Sequence, residues 1–395
     1  MSSKPSVFIN GAGLAGSACA IRLRQLGHSV VLIDQAKFPR EKLCGEFLGP
    51  DAMPLLKKLG LLEAVLEQCT MKTNLVNIYS QDGKGLLVNL SWLRSDYPYA
   101  LATPRSTLDL IFLRHAQTLG ASVKEEHRIE EYSYQVHNNQ FELLVNSCVL
   151  SSQAQCLLGS EILVDAAGRN SHLSKRGKKE TELPEDCPDT RGNLIIEPHV
   201  GVQSHVSLKC SSPELNMYFF PGGYGGIQPI TADTANICLW VKPELAKIAT
   251  KDFYAFLDAS IGQNSAFQMF SRSIQCQGPI KTVGGIQALH KKRAVSQSIL
   301  SIGDALLTVE PFSGFGMVHA LKTGILAAEV IDQGIQAGWS YSQILNRYLN
   351  CYQTQFYAHL LMLQWLRPII RNSFLQKVCW PVLPVVLPTL SKLYR

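Results

Sequence analysis

The stretch from Ser6 to Asp34 leaves this chain few folds to choose from. A short apolar run, Ser6 to Ile9, ends in Gly11-Ala12-Gly13-Leu14-Ala15-Gly16. A segment with apolar residues at Leu14, Ala18, Ile21 and Leu26 follows, and a second apolar run, Val30 to Ile33, stops at Asp34. Strand, glycine turn, helix and strand in this compass make a βαβ unit, which commits the chain to a parallel sheet with helical crossovers. The glycines serve different needs: Gly11 the tight turn, Gly13 close approach of a pyrophosphate to the backbone, and Gly16 packing of the helix on the strand. Leu14 and Ala15 open the helix, where free N–H groups and the dipole favour negative charge. Asp34 lies 18 residues beyond Gly16, with Gln35 beside it, where a carboxylate accepts ribose hydroxyls. The unit predicts a dinucleotide site and does not choose between NAD and FAD.

A chain of 395 residues exceeds one simple core, and 46% hydrophobic against 17% charged residues excludes a largely disordered one. The net charge of +6 is a mild bias without a dense basic stripe, so no nucleic-acid partner is expected. The 11 cysteines are an odd number without a CxxC pair, and Lys4 and Pro5 lead straight into Val7-Phe8-Ile9 without a signal peptide. Reduced thiols in a cytoplasmic protein are the expectation. The longest apolar run, Val378 to Leu390, is 13 residues and holds Pro381, Pro384 and Pro388, whereas a membrane span needs about 20 apolar residues. No H-E-x-x-H, paired CxxC or G-x-S-x-G segment occurs, so neither a metal site nor a serine hydrolase is expected.

Further along, Thr107 to Leu119 has helical apolar spacing, Ala121 to Val123 and Glu161 to Ala166 read as strands of the parallel sheet, and Arg128 to Leu150 alternates like a small antiparallel sheet. Ser174 to Gly192 is charged, proline-bearing and aperiodic, as a linker is. His199 to Lys209, Asn216 to Phe220 and Asn236 to Val241 read as strands of a second sheet, with Gly222 to Gly226 as a glycine-rich connection and Lys251 to Ala259 as a helix. The first domain resumes between Ala288 and Gly303, and the tail from Ser340 is helical and apolar. The expected fold class is α/β: a Rossmann-like dinucleotide-binding domain (1–75, 100–175 and 276–335), assigned to FAD by the motif that follows, interleaved with a β-sheet substrate domain (76–99 and 190–275), plus C-terminal helices (340–395).

A second motif separates the cofactors. Leu300 to Ala320 runs from an apolar strand through Gly303-Asp304 and Pro311 to Gly314-Phe315-Gly316-Met317 and a helix. This segment resembles the second FAD fingerprint of the para-hydroxybenzoate hydroxylase-like superfamily, which includes geranylgeranyl reductases and flavin-dependent halogenases. The resemblance implies that Asp304 contacts the ribityl or pyrophosphate region, and that Gly314, Gly316 and Met317 set backbone N–H groups at the flavin's pyrimidine edge. Phe38-Pro39-Arg40-Glu41-Lys42-Leu43-Cys44-Gly45-Glu46 is similar to the PRxKxCG segment of the reductase and halogenase branches, which adds Arg40, Cys44 and Gly45 to the expected cofactor contacts. Arg105, followed by Asp109, matches an arginine that the family places against FAD. Val164 to Ser171 matches a middle motif in part, with Gly168 retained and Ala167 where the family has an aspartate.

Among the branches, Pro213 to Pro221 aligns with the P-x-x-Y-x-W-x-F-P pattern of geranylgeranyl reductases at Pro213, Phe220 and Pro221, but departs from it at Asn216 and Tyr218. No tryptophan pair has the W-x-W-x-I-P spacing of halogenases. The resemblance implies a flavoenzyme reduced by NADPH or NADH. The leading expectation is a monooxygenase that hydroxylates a phenolic, quinone-like or lipid-chain substrate through a flavin C4a-hydroperoxide. The alternatives are reduction of isolated C=C bonds in a prenyl chain, and a non-catalytic flavoprotein-like binding subunit. His205, Tyr224 and His319 are weak catalytic candidates, each also readable as structural. The C-terminal region is a cap over the two domains or a peripheral membrane contact that collects an aromatic or lipid-like substrate.

Overall fold

The computed structural model describes residues 6–69, 71–135, 140–148, 156–173, 199–210, 212–267, 274–286 and 299–383. The expected linker, Ser174 to Gly192, lies outside them, as does most of Ala288 to Gly303.

The opening unit forms as its pattern demands. Ser6–Asn10 and Ser29–Ile33 pair in parallel, and Leu14–Gln25 crosses between them as a helix. Five strands make the sheet in the order Leu300–Ser301, Ile162–Asp165, Ser6–Asn10, Ser29–Ile33, Ser122–Lys124, every pair parallel. Val7, Ile9, Leu32, Leu163 and Val164 are fully buried, because helices cover both faces of such a sheet. The strand order reverses at the central strand Ser6–Asn10, so its carboxyl end opens on the crevice where this architecture takes ligands. The long helix Gly316–Gln336 lies against the first helix, and a β-carbon at Gly324 would stand only 2.4 Å from the Ala15 carbonyl oxygen. Small residues at Ala15, Ala18 and Gly324 permit that approach.

The expected small antiparallel sheet is present as His127–Gln135, Gln140–Ser147 and Cys156–Ser160. A further three-stranded sheet joins Phe47–Leu48, Ala100–Ala102 and Met71–Thr73.

The second large sheet holds the other three expected strands as His199–Ser207, Leu215–Phe220 and Thr234–Val241. It departs from the sequence reading in two places. Gly223–Pro229 is a strand in the middle of this sheet and not a connecting turn; only Gly222, with φ +86°, makes the turn. A β-carbon at Gly223 would meet the Trp240 carbonyl oxygen at 2.3 Å and one at Gly225 the Cys238 carbonyl oxygen at 2.5 Å, so these glycines let strands approach closely. In addition, Lys281–Ile286 pairs with His199–Ser207, so the chain stays with the second sheet past residue 276 and returns to the parallel sheet only at Leu300.

The tail begins with Ser340, whose side chain and that of Gln343 form a capping box on the helix Tyr341–Arg371. Tyr348, Tyr352, Phe356 and Leu363 bury against the FAD-side core. The hydroxyl of Tyr341 accepts a bond from Leu300 N at 2.7 Å and donates to the Leu163 carbonyl at 3.1 Å, tying the tail to the parallel sheet. A short helix, Ser373–Cys379, capped by Asn372, follows. Among the described residues, no helix is long and apolar enough to cross a membrane.

Candidate functional site

The glycine turn leaves the central strand with Gly11 at φ +107°. A β-carbon on Gly16 would lie 1.9 Å from the Gly11 carbonyl oxygen, so the packing role assigned to this glycine is literal. Asp34, nearly buried, accepts from Ala12 N at 2.7 Å and from Ala36 N at 2.8 Å, which braces the turn from the end of the second strand. A carboxylate has about four acceptor positions, so two stay open to ribose hydroxyls. Gln35 beside it is exposed.

Three segments converge on this turn. Arg40 stacks over Phe38 at 4.9 Å, reaches Asp109 at 3.4 Å, and is the one group within 4 Å of a β-carbon placed on Gly13. Lys42 lies 3.9 Å from Asp304. Gly303, at φ +59°, presses on the first helix, where a β-carbon would meet that of Ala15 at 2.8 Å. Pro311 starts a single 3-10 turn that Gly314 ends in the left-handed conformation against Phe47, before the helix that starts at Gly316. Met317 in its first turn touches Cys44, sulfur to sulfur at 3.9 Å.

Arg105, which the resemblance sets against the cofactor, is fixed by its neighbour one turn on. It is buried, and its Nε and Nη2 donate to the two oxygens of Asp109 at 2.9 Å each. That bidentate pair, one helical turn apart, is fixed scaffold beneath Arg40. Asp165 also exceeds the sequence reading, in which it merely closes a strand. Fully buried, it accepts from Asn10 Nδ2, Ala167 N and Ser171 Oγ at 3.3, 3.2 and 2.6 Å, and so fastens the middle motif to the central strand.

His319, a weak catalytic candidate also readable as structural, sits in the C-terminal helical packing. Fully buried between the two long C-terminal helices, it bonds Tyr352 at 3.1 Å. Burial lowers its pKa to about 4, so the ring is neutral and structural. Tyr224 is nearly buried; its hydroxyl donates to Glu310 at 2.8 Å and accepts from Phe312 N at 3.2 Å, which holds the loop before Gly314 against the second sheet.

Sequence reasoning missed the group that joins the sheets. Glu46 is fully buried and sits at φ +58°, a left-handed backbone that costs a non-glycine residue about 1–2 kcal/mol. Its carboxylate lies 2.9 Å from His205 Nε2 and 3.4 Å from Gln203 Nε2. Gln203 accepts from Cys44 N at 3.2 Å, Asn236 Nδ2 donates to the Cys44 carbonyl at 2.9 Å, and Gln203 donates to Asn236 at 3.0 Å. Gln203, His205 and Asn236 face the cofactor side of the second sheet. Polar residues at alternate positions of otherwise apolar strands were the available signal. That same face turns aromatic away from this cluster: Tyr224, Trp240, Phe219 and Trp380 form one buried group with Leu86.

The arrangement fits a flavin dinucleotide. A β-carbon on Gly45, Gly168 or Gly316 would meet nothing within 4 Å, so glycine backbone from three separate segments faces open space. Arg40 and Lys42 stand beside the turn with positive charge for a pyrophosphate. Among the described residues, no group of three His, Cys, Asp or Glu side chains is placed to hold a metal.

Residues 4–193, just under half of the chain, match the FAD binding domain family, and the chain is a flavin-dependent enzyme that resembles the para-hydroxybenzoate hydroxylase-like superfamily. It is 27% identical over 349 residues to a menaquinone reductase of Mycobacterium tuberculosis, covering 87% of this chain and 80% of the relative. The fold is shared with the flavin-dependent halogenase CmlS (TM-score 0.72, 20% identity), over 90% of this chain but only 63% of that one. It is also shared with a geranylgeranyl bacteriochlorophyll reductase-like protein of Thermoplasma acidophilum (TM-score 0.75, 16% identity), over 95% of this chain and 90% of that one.

Proposed function

We propose that this protein is a flavin-dependent reductase that delivers a hydride to a lipophilic acceptor, either a quinone-like head or an isolated C=C of a prenyl chain. The observation that carries this reading is the face of the second sheet toward the FAD crevice. It is polar at Gln203, His205 and Asn236 and aromatic at Trp240, Tyr224 and Phe219, the profile of a ligand with a polar head and an apolar tail. The similarity to a menaquinone reductase supports it.

FAD, when bound, supplies the two-electron chemistry. The chain's own residues bind and orient. The Gly11-to-Gly16 turn with Arg40 and Lys42 would hold the pyrophosphate, Asp34 the adenosine ribose, Asp304 the ribityl region, and the start of the Gly316 helix the pyrimidine edge. The aromatic group would exclude water from the acceptor. NADPH or NADH as the source of electrons belongs to this proposal. So does a peripheral membrane contact, since Phe374 and Val378, one turn apart on the last helix, and Val382 just beyond its end are 69%, 57% and 55% exposed, with the exposed Lys377 among them.

The test is anaerobic. Protein with its flavin chemically reduced is mixed with a short-tailed menaquinone, and reoxidation is followed at the flavin absorbance while the product is weighed by mass spectrometry. Reoxidation with a gain of two hydrogens supports the reading. No reoxidation under nitrogen, with a product one oxygen heavier under air, replaces it with the hydroxylation expected from sequence.

A further inference from the structure

We infer that Glu46 and His205 form a proton-donating couple, built across the junction of the Cys44 loop and the second sheet, that supplies the second proton of the reduction. The inference rests on the reductase reading. The acceptor takes two electrons and one proton as hydride from the reduced flavin, and the remaining proton from the couple. His205, left neutral, regains a proton from water, so that each turnover adds one hydride and one proton to the acceptor and leaves the couple unchanged.

Four observations carry the assignment. Glu46 is a carboxylate with no exposure, held by a left-handed backbone that its type seldom adopts, and such outliers persist where the surroundings enforce them for function. Its partner His205 is half-buried, and its 2.9 Å contact faces one oxygen while Gln203 takes the other. On its far side His205 lines an open cleft of about 300 Å³ with Pro104, Ile230 and Thr234, which gives water a way in. On the near side, Gln203 and Asn236 clamp the Cys44 peptide, whose sulfur touches Met317 at the start of the helix assigned to the flavin edge. The couple thus meets solvent at His205 and is joined, through Gln203 and the Cys44 loop, to the helix start assigned to the flavin edge.

The surrounding charges suit a group that holds a proton at neutral pH. The hydrogen bond that His205 donates to Glu46 raises the His205 pKa above its ordinary value and outweighs desolvation; Glu41 adds to the rise and Lys281 opposes it. Lys281 is itself paired with Glu41 at 2.7 Å, so its opposition is blunted.

The test has two arms. In flavin-free protein, the ring C–H signals of His205, assigned by comparison with H205Q, are titrated by NMR. The inference requires a midpoint above that of free histidine and a lower one in E46Q; a midpoint at or below the free value overturns it, whichever acceptor is correct. In the second arm, FAD-loaded wild type and H205Q, matched for flavin affinity by absorbance titration, are compared in anaerobic single turnovers with the short-tailed menaquinone in H2O and D2O. Because the donor must be protonated, the wild-type rate falls as pH rises through the His205 midpoint. H205Q should be slower by about 100-fold and should lose both the pH dependence and the solvent isotope effect. A mere latch would alter stability or flavin affinity but leave the pH profile in place, and an unaltered profile in H205Q overturns the inference. If the wild type is not reoxidised at all, the reductase reading fails, and the titration arm still judges the couple.

Discussion

Replacing Gly13 and Gly16 with alanine, one at a time, separates a glycine that serves the fold from one that serves the ligand. At Gly16 the added methyl would stand 1.9 Å from the Gly11 carbonyl oxygen and 3.1 Å from the Ala166 side chain. The first contact is to backbone, so the turn itself must shift by more than an ångström. Overpacking of this kind costs about 1–3 kcal/mol or more, and the better helix propensity of alanine returns at most about 1 kcal/mol. A net loss near 2 kcal/mol lowers Tm by about 2–3 °C in a chain of this size. Gly13 has an ordinary φ of −70° at the helix N-cap. Its methyl would touch only the mobile end of Arg40, at 3.3 Å. The fold should lose no more than about 1 kcal/mol. The methyl nevertheless projects where the pyrophosphate must approach, and losing even one charge-assisted bond of about 1.5–3 kcal/mol weakens FAD roughly 10–150-fold. Thermal melts of flavin-stripped protein and back-titration with FAD by fluorescence quenching measure both quantities. If Gly13→Ala keeps full FAD affinity, or melts as low as Gly16→Ala, the division of labour is refuted.

Three other outcomes are expected. Asp165→Ala should lower the apoprotein Tm by removing an acceptor of three bonds, whereas Asp304→Ala, at a partly exposed carboxylate, should leave that melt in place and weaken FAD; equal effects on both measurements would show the cofactor contacts misassigned. His319, held near pKa 4 by burial, stays neutral in the fold while the unfolded chain takes up a proton near pH 6.5, so stability falls as pH drops from about 6.5 towards 4; urea midpoints at pH 7 and 4.5 should differ by up to about 2–3 kcal/mol more in wild type than in His319→Phe. Liposomes with anionic lipid at low salt should float the wild type and release a Phe374→Ser, Val378→Ser double variant, and equal flotation of the two would remove the last helix as the contact.

The legible part of the molecule was the part governed by local rules. A glycine turn between two short apolar runs can form little else, and Gly11, Gly16, Asp34 and Gly303 stand in the structure where their spacing put them. What escaped was decided across the sequence. Gly223 to Gly226 looked like a turn because glycine disfavours strands in isolation, but the demand that made it a strand comes from the Trp240 and Cys238 carbonyls of its neighbour. The charge of Arg105 is visible in the sequence, whereas its burial and its pairing with Asp109 Oδ1 and Oδ2 are not. Glu46 was in plain view within the PRxKxCG segment, yet its partners Gln203 and His205 lie more than 150 residues away, and no local pattern could join them.

The bridge made by the Tyr341 hydroxyl bears on how the crevice comes into being during synthesis. The edge strand it secures is only two residues long and pairs with a strand some 135 residues earlier, so its ordering entropy must be met by something other than its own ladder. One phenolic oxygen, bonded to both strands, fills that place. While the ribosome is still short of residue 341, the strand before Gly303 and Asp304 lacks this anchor, and flavin retention is expected to wait for it. Cofactor capture is therefore a late event set by contact order. Two fragments divided at the Gly222 turn should each remain colourless and turn yellow only when mixed.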